Sequence, residues 1–481
     1  MDREAAKKAL LNNEQLGLDE IKRIFSMTAG FKRYLEVVTM IPGALDEEKI
    51  DAVQFRKKYG ISGDYREDAS FLLDEEKAKT LRNISQEEYI NRAPESVFRY
   101  TQFLSNKLYY RDELLNRFCV PKNEKMKKWR SRQIERSKGI TGSAYNGNIQ
   151  LPLAFEISDG CSIGCKFCAI GAEKLKSVFK NTPENIQLFS DIVDIGMDII
   201  GEAACSGVLY YCSEPLDNPN YETFAQIMFS KSGMWPQITT AAALRHKERV
   251  HRLLEDLNNR PNTIFRFSVL SVEQAKEILE EFSAEELLRV ELIPQYPEAT
   301  TFTGFAKAGR ARDDGTQADD GIPKSICCIS GFVVNMANRT IRLITMANAN
   351  DRFPTGEVVY EKASFTDAED FRIQMTCMID TYIHNDLPKN KTLKLYDYFT
   401  LEDDFMNGKV LRSPGYMICL NTMPGGSGFR TVEALMEGKY TAGEIVSKLT
   451  DQYGLDPVDI YWTLHFLWQK GVIDEFYPID G

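Results

Sequence analysis

Three thiols stand close together in the run Cys161-Ser162-Ile163-Gly164-Cys165-Lys166-Phe167-Cys168, at offsets of zero, four and seven. A short loop carrying three inward-turned thiols can hold three corners of an iron–sulfur cube. The fourth iron is then left without a protein ligand and open to a small molecule. Zinc is the competing metal. It asks for four ligands, usually as two close pairs, yet the next cysteine, Cys205, is far along the chain and no histidine is near. A set of packed, inert thiols is the plainest alternative. The regular spacing and the apolar stretch before the loop favour the cluster.

The elements that must position this loop can be read on either side of it. Leu153-Ala-Phe-Glu-Ile157 reads as a strand, and Asp159-Gly160 as the turn that ends it. From about 150 to 325 the pattern then alternates. A helix is expected over 184–200, a second strand over Gly207–Cys212 and a helix over 223–231. A third strand over Gln237–Leu244 and a helix over 246–258 follow. Next come a fourth strand over Thr263–Val269, a helix over 272–282 and a fifth strand over Arg289–Pro294. Strand–helix alternation predicts βαβ units and a parallel sheet, which right-handed crossovers curl into a full or partial barrel. Chemistry in such folds sits at the C-terminal strand ends, where the cysteine loop falls.

Composition narrows the class. The chain has 481 residues, 43% of them hydrophobic and 27% charged, as in an ordinary soluble protein of two or three domains. The start, Met1-Asp2-Arg3-Glu4, is polar with no apolar segment after it, so no signal peptide is expected. No run reaches the length of a membrane span. Ten cysteines with a metal-type motif fit a reducing cytoplasm. A net charge of −11 speaks against nucleic acid as the main partner. The four histidines, His246, His251, His384 and His465, form no nucleophile–base pattern.

Residues 1–145 read as a charged helical region. Leu18, Ile21, Ile24 and Phe25 recur at helical spacing, and Ser85 with Glu88 forms a capping box. Lys122 to Lys138 holds eight Lys or Arg residues around Trp129. These make a solvated helix face, a surface for a peptide substrate or its acidic leader, or, against the net charge, a nucleic-acid contact.

Beyond the alternating region, Gly331–Asn335 and Thr340–Ile344 read as a hairpin turning at Met336–Arg339, and Asp367–Ile383 as a helix carrying Cys377. The last part of the chain reads as a separate module. Val410–Leu420 and Phe429–Leu435 are expected as strands. Thr441 and Glu444 then box the start of a helix, Asp456-Pro457 opens another, and Gly471 ends it. Strands with short helices make a small winged-helix unit. A DNA-binding use of it is disfavoured by the final helix, whose Asp459, Trp462, His465 and Gln469 are a poor basic set.

The Cys-x3-Cys-x2-Cys motif with an aromatic before its last cysteine resembles the signature of radical SAM enzymes. That resemblance implies one 4Fe–4S cluster on Cys161, Cys165 and Cys168, with S-adenosylmethionine on the open iron. Cys212-Ser213-Glu214-Pro215 is similar to the family's Gly-Gly-Glu-Pro segment. It implies S-adenosylmethionine contacts at Ser213 and Glu214, with Cys212 and Ser213 in place of the two glycines. Ser268 matches the strand serine that touches the ribose, with Ser271 standing in for its usual acidic neighbour, and Phe167 matches the aromatic beside the adenine. The segment 308–311, Ala-Gly-Arg-Ala, resembles one that follows the barrel in peptide-modifying members. Few cysteines remain downstream, so no auxiliary cluster is expected.

The C-terminal module resembles the RiPP recognition element, which binds the leader of a ribosomally made precursor peptide as an added strand. The whole is similar to the radical SAM peptide epimerases of RiPP maturation, of the proteusin type. The implied architecture is α/β. A helical region (1–145) precedes a partial (β/α)6-type barrel (146–325). A hairpin and helical extension (326–400) and a winged-helix recognition element (401–481) follow. The implied reaction is L-to-D inversion at Cα with hydrogen returned by a thiol. Cys377 is the expected donor, Cys328 the runner-up; Cys212 is disfavoured as lying on the S-adenosylmethionine side. An external electron donor is required, and neither nucleic acid nor membrane is an expected partner. A peptide-crosslinking enzyme and a non-catalytic iron–sulfur sensor are the other readings.

Overall fold

The computed structural model describes residues 17–117, 119–141, 150–258, 265–302, 304, 306, 308–312 and 327–477. In chain order the strands are β1 (Leu151–Glu156), β2 (Ser158–Asp159), β3 (Ser177–Val178), β4 (Ile238–Thr240), β5 (Phe265–Val269) and β6 (Val290–Pro294). They continue with β7 (Ile329–Asn335), β8 (Thr340–Met346), β9 (Glu357–Ser364), β10 (Thr392–Leu393), β11 (Thr400–Asp404), β12 (Gly408–Arg412), β13 (Met417–Cys419) and β14 (Tyr440–Thr441). They form several small sheets rather than a closed barrel among the described residues. No helix among those residues is long and apolar enough to cross a membrane.

The chain divides into two compact units that cut across the boundaries expected from sequence. The first comprises Met1–Leu114, Glu214–Tyr221 and Gly233–Gly304; the second comprises Leu115–Ser213, Glu222–Ser232 and Phe305–Gly481.

In the first unit β4, β5 and β6 lie parallel in that order. On β5, Phe265, Phe267 and Val269 are buried and the intervening Arg266 and Ser268 are partly exposed, the period-two pattern of a strand covered on one face. The helical N-terminal region acquires a purpose here. The Leu18–Met40 helix buries Phe31, Tyr34, Leu35 and Val37. Its Arg33 donates to the carbonyls of Leu279 and Phe282 at the end of the Val272–Glu281 helix. Lys32 donates to Leu287 O, at 3.0 Å, at the end of Ala284–Leu287. Cations on carbonyls that a helix end leaves unpaired are favourable in both hydrogen bonding and dipole terms.

In the second unit the sheet order is β1-β7-β8-β9. β1 runs parallel to β7, pairing Leu151 with Ile329 and Glu156 with Asn335. β7 and β8 form the expected hairpin, with Arg339 in the left-handed region at φ 53° at its turn. The Pro183–Ile200 and Ala368–Tyr382 helices match expectation to within two residues. The second expected strand does not form. Gly207–Cys212 is irregular, tied to β1 by Phe155 N donating to Val208 O at 2.9 Å. A Cβ at Gly207 would lie 2.0 Å from the Leu153 carbonyl oxygen, so backbone packs on backbone where side chains would have spaced a ladder.

The C-terminal module holds the antiparallel sheet β11-β12-β13 and the helices Ser427–Glu437, Ala442–Tyr453 and Pro457–Gln469. Leu411, Val432, Leu435, Ile445, Leu449, Ile460 and Leu464 form its core. The capping box at Thr441 and the Asp456 cap are present. Two expectations are corrected. Phe429–Leu435 is helix, not strand. Gly428, Val432 and Leu435 fall on one face at helical spacing, and Gly438 ends the helix at φ 62°. Val410–Leu420 is not one strand but β12 and β13, separated by a turn in which Ser413 N donates to Tyr416 O at 3.0 Å.

Candidate functional site

The cysteine loop leaves the C-terminal end of β1. Gly160, at φ 88°, turns the chain, and a Cβ there would meet Lys174 O at 2.3 Å. The backbone then folds onto itself: Cys161 N donates to Glu173 O (2.9 Å), Cys168 N to Cys165 O (3.2 Å) and Gly171 N to Cys168 O (3.1 Å). The Cys168 sulfur accepts from Ala172 N at 3.4 Å. All three motif cysteines are free and partly exposed.

The small-residue segment after the first unit's last excursion closes over this loop. Arg310 Nε donates to Cys165 O at 2.9 Å, Arg310 Nη1 to Ala172 O at 2.6 Å and Arg310 N to Cys168 O at 2.9 Å. Gly309, at φ 53°, lies against the same loop; a Cβ on it would sit 2.4 Å from Ala169 O and 2.6 Å from Cys168 O. Residues 303, 305, 307 and 313 of the segment lie outside the described residues.

Burial and then the charges of Cys161 and Cys168 push the Cys165 thiol up to about 11. A thiol raised by its two neighbours is released from that repulsion when cationic metal takes all three sulfurs. Among the described residues no three His, Cys, Asp or Glu side chains are drawn in as ligands of a single ion. Three free thiols within one partly exposed loop are a donor set that a cube could use, one thiolate on each of three corner irons. A second observation bears on fit. Ser213 Oγ is buried with no hydrogen-bond partner among the described residues, an unspent polar atom of the kind a bound group satisfies.

The other expected site residues are placed as follows. Phe167 lies partly exposed in the cysteine loop. Ser268 is a partly exposed residue of β5, paired in register with Ile293. Ser271 is not available beside it, since its side chain caps the Val272–Glu281 helix by accepting from Gln274 N. Glu214, in the first unit, is 4% exposed. Its carboxylate accepts from Leu216 N (3.1 Å), Thr240 Oγ1 (2.5 Å) and Ala241 N (2.9 Å), which ties the Glu-Pro turn to the end of β4. Burial outweighs these bonds and raises its carboxyl to about 7.

The two donor candidates differ. Cys377 is exposed on the outer face of the Ala368–Tyr382 helix, which buries Phe371, Met375, Met378 and Ile379; its sulfur lies 3.8 Å from Thr381 Oγ1. Its neighbours Met375 and Met378 are buried, but Cys377 itself is not packed between them. Cys328 precedes β7 at the end paired with Leu151, and its carbonyl accepts from Leu151 N. The cysteine loop leaves the other end of β1, about 20 Å of strand away.

Sequence reasoning missed a buried chain of polar groups inside the second unit. Arg342 on β8 donates to Glu357 (3.2 Å) and lies 3.9 Å from both Glu156 and the Cys212 sulfur. Tyr211 donates to Glu357 at 2.7 Å and lies 3.1 Å from the Cys327 sulfur, while Cys212 N donates to Glu156 at 2.6 Å. An Arg and a Glu in otherwise apolar strands were the available signals.

Comparison with known proteins gives one curated relative. The chain is 29% identical to the uncharacterized protein y4wI of Sinorhizobium fredii, across 92% of this chain and 90% of that protein. No protein-family model matches the chain. No solved structure matches it.

Proposed function

We propose that this chain is a radical SAM peptide epimerase, converting L- to D-residues in a ribosomally made precursor peptide. What supports the reading most is the cysteine loop: three free thiols on one loop at a strand's C-terminal end, pinned by Arg310. Cys161, Cys165 and Cys168 would hold one 4Fe–4S cluster, and Phe167, Ser213, Glu214 and Ser268 are the residues assigned to S-adenosylmethionine. When bound, these groups supply a 5′-deoxyadenosyl radical that takes the Cα hydrogen of the peptide.

The chain's own part is to return hydrogen to the opposite face. Cys377 Sγ–H gives its hydrogen atom to the planar Cα radical, forming the inverted Cα–H and leaving a thiyl. An external donor then supplies one electron, and solvent one proton, to restore the thiol. An exposed thiol suits this step because a peptide backbone can approach it. The precursor's leader is assigned to the C-terminal module, by strand addition. Among the described strands β13 pairs only with β12, which makes it an edge strand of its sheet and the place where a leader strand would be added. A reducing cytoplasm keeps such thiols available.

The test is anaerobic turnover in deuterated water, with reconstituted enzyme, S-adenosylmethionine, a one-electron reductant and a candidate precursor. Deuterium at the Cα of residues now in the D configuration supports the reading. Loss of hydrogen without chirality change points to crosslinking instead. Absence of 5′-deoxyadenosine under any condition removes the enzymatic reading and leaves the iron–sulfur sensor.

A further inference from the structure

The basic run before β1 is not the solvated face its composition suggests. Three of its arginines are buried: Arg130 donates to Gln150 O at 2.8 Å, Arg132 to His384 O and to Glu475, both at 2.8 Å, and Arg136 to Thr345 Oγ1 at 3.1 Å. They fasten the Glu124–Thr141 helix to its surroundings inside the second unit. The lysines of the same helix do something else. They line one wall of a groove of about 1590 Å³, whose other walls are the Tyr382–Lys391 segment, part of β9 and the end of the Pro457–Gln469 helix.

The electrostatics of this groove run against those of the chain. Lys128, Lys389 and Lys391 are exposed on its walls and have no ion-pair partner among the described residues. Lys125 and Arg352 also line it, and they donate only to neutral carbonyls, of Asp380 and Phe476. Its carboxylates are mostly committed. Glu475 is held by Arg132, Gln133 and Tyr360, and Glu124 by Lys127; Glu135 is shared between Lys138 and Lys470. Its lining mixes apolar and polar surface; Val359 is exposed there, while Trp468 is buried with the Arg132 guanidinium over its ring at 4.2 Å. A protein of net charge −11 thus sets three lysines without ion-pair partners among the described residues around one groove of mixed apolar and polar lining.

We infer that this groove binds an acidic, extended peptide segment with apolar residues among its carboxylates. Carboxylates on the peptide meet Lys128, Lys389 and Lys391 at the rim, and alternate side chains reach the trough. A peptide is favoured over nucleic acid because it can set aliphatic side chains against exposed Val359 between its carboxylates, which a phosphate backbone cannot. The site shares no residue with the cysteine loop or with the edge of β13, and its occupancy needs neither cluster nor radical. Its failure would therefore leave the epimerase reading standing, and the reverse.

The experiment is fluorescence anisotropy on the full chain, with three labelled probes. They are a peptide alternating glutamate and leucine, its lysine–leucine counterpart, and a single-stranded oligothymidylate. The acidic peptide is expected to bind, to weaken as salt rises, and to lose roughly tenfold in affinity in the triple variant K128E/K389E/K391E. All three positions are exposed, so the variant keeps its fold, and circular dichroism checks this. Equal binding of the basic peptide, tighter binding of the oligothymidylate, an unchanged affinity in the triple variant, or no binding of the acidic peptide would each overturn the inference.

Discussion

Arg310 places its guanidinium on the carbonyl oxygen of Cys165, at 2.9 Å, from a position 145 residues further along the chain. The contact joins two segments that the sequence shows only as separate motifs. Its second arm on Ala172 O spans the loop from the middle cysteine to just past the last one. Charge-assisted bonds of this kind are each worth about 1.5–3 kcal/mol. They fix the backbone that carries the thiols rather than the thiols themselves.

Replacing Arg310 should therefore loosen the loop without removing a ligand. We expect Arg310→Ala to keep the fold and to lose several-fold in iron retained after anaerobic reconstitution. Arg310→Lys should fall between. Iron and sulfide assays on the desalted protein measure it, and wild-type iron content in Arg310→Ala would show that the loop holds itself.

Gly309→Ala tests the same closure from the packing side. The added methyl would press on two carbonyl oxygens at a left-handed backbone position. A loss of about 1–3 kcal/mol in stability is expected. Urea unfolding reads it directly, and Gly164→Ala is the control, since its Cβ would meet nothing within 4 Å although it too has positive φ.

Cys377→Ala should separate hydrogen return from radical generation. The residue is exposed, so stability should move by no more than about 0.5 kcal/mol. Cleavage of S-adenosylmethionine should persist while D-residue formation stops. Retained inversion in this variant would send the search for the donor elsewhere in the chain.

The buried Arg342–Glu357–Tyr211 chain predicts a large structural cost. Glu357→Ala leaves Arg342 short of a carboxylate and Tyr211 with only the weak Cys327 sulfur to donate to, and should destabilise by about 3–5 kcal/mol. Glu357→Gln keeps one acceptor oxygen for Arg342 and can donate to the Tyr211 hydroxyl, whose proton is left to the Cys327 sulfur, and should cost less. Chemical denaturation of the two variants gives the comparison.

Glu214 makes stability depend on pH. Its folded carboxyl is raised to about 7 from 4.5. Between those values the folded state binds more protons than the unfolded one. Stability should thus fall as pH rises through that window, by about 3 kcal/mol in all. Glu214→Gln, which does not titrate and keeps one of the two acceptor oxygens that Leu216 and Ala241 use, should flatten this slope at some cost in overall stability. Unfolding midpoints from pH 5 to 8 would show it, and an equal slope in the variant would mean other groups set it.

What the sequence determined by itself was local. The cysteine spacing, the Ser85 and Thr441 capping boxes, the Asp456 cap and the β7–β8 hairpin are all legible because each depends on residues a few positions apart. Strands β1, β5 and β6 are legible for a related reason, since their alternating or continuous apolar runs name a buried face without naming what covers it. Only the tertiary structure decided the rest. Phe429–Leu435 carries residues acceptable to strand or helix, and it is helix because Val432 and Leu435 meet the module's core on one face. Arg130, Arg132 and Arg136 look like surface charge until Gln150, Glu475 and Thr345 are brought to them. Gly207–Cys212 has the composition of a strand but not its ladder, because Gly207 lets two backbones touch. In each case the deciding partner lies outside the local segment. Long-range contact sets burial, and burial, not residue type, fixed whether these groups became core, cap or surface.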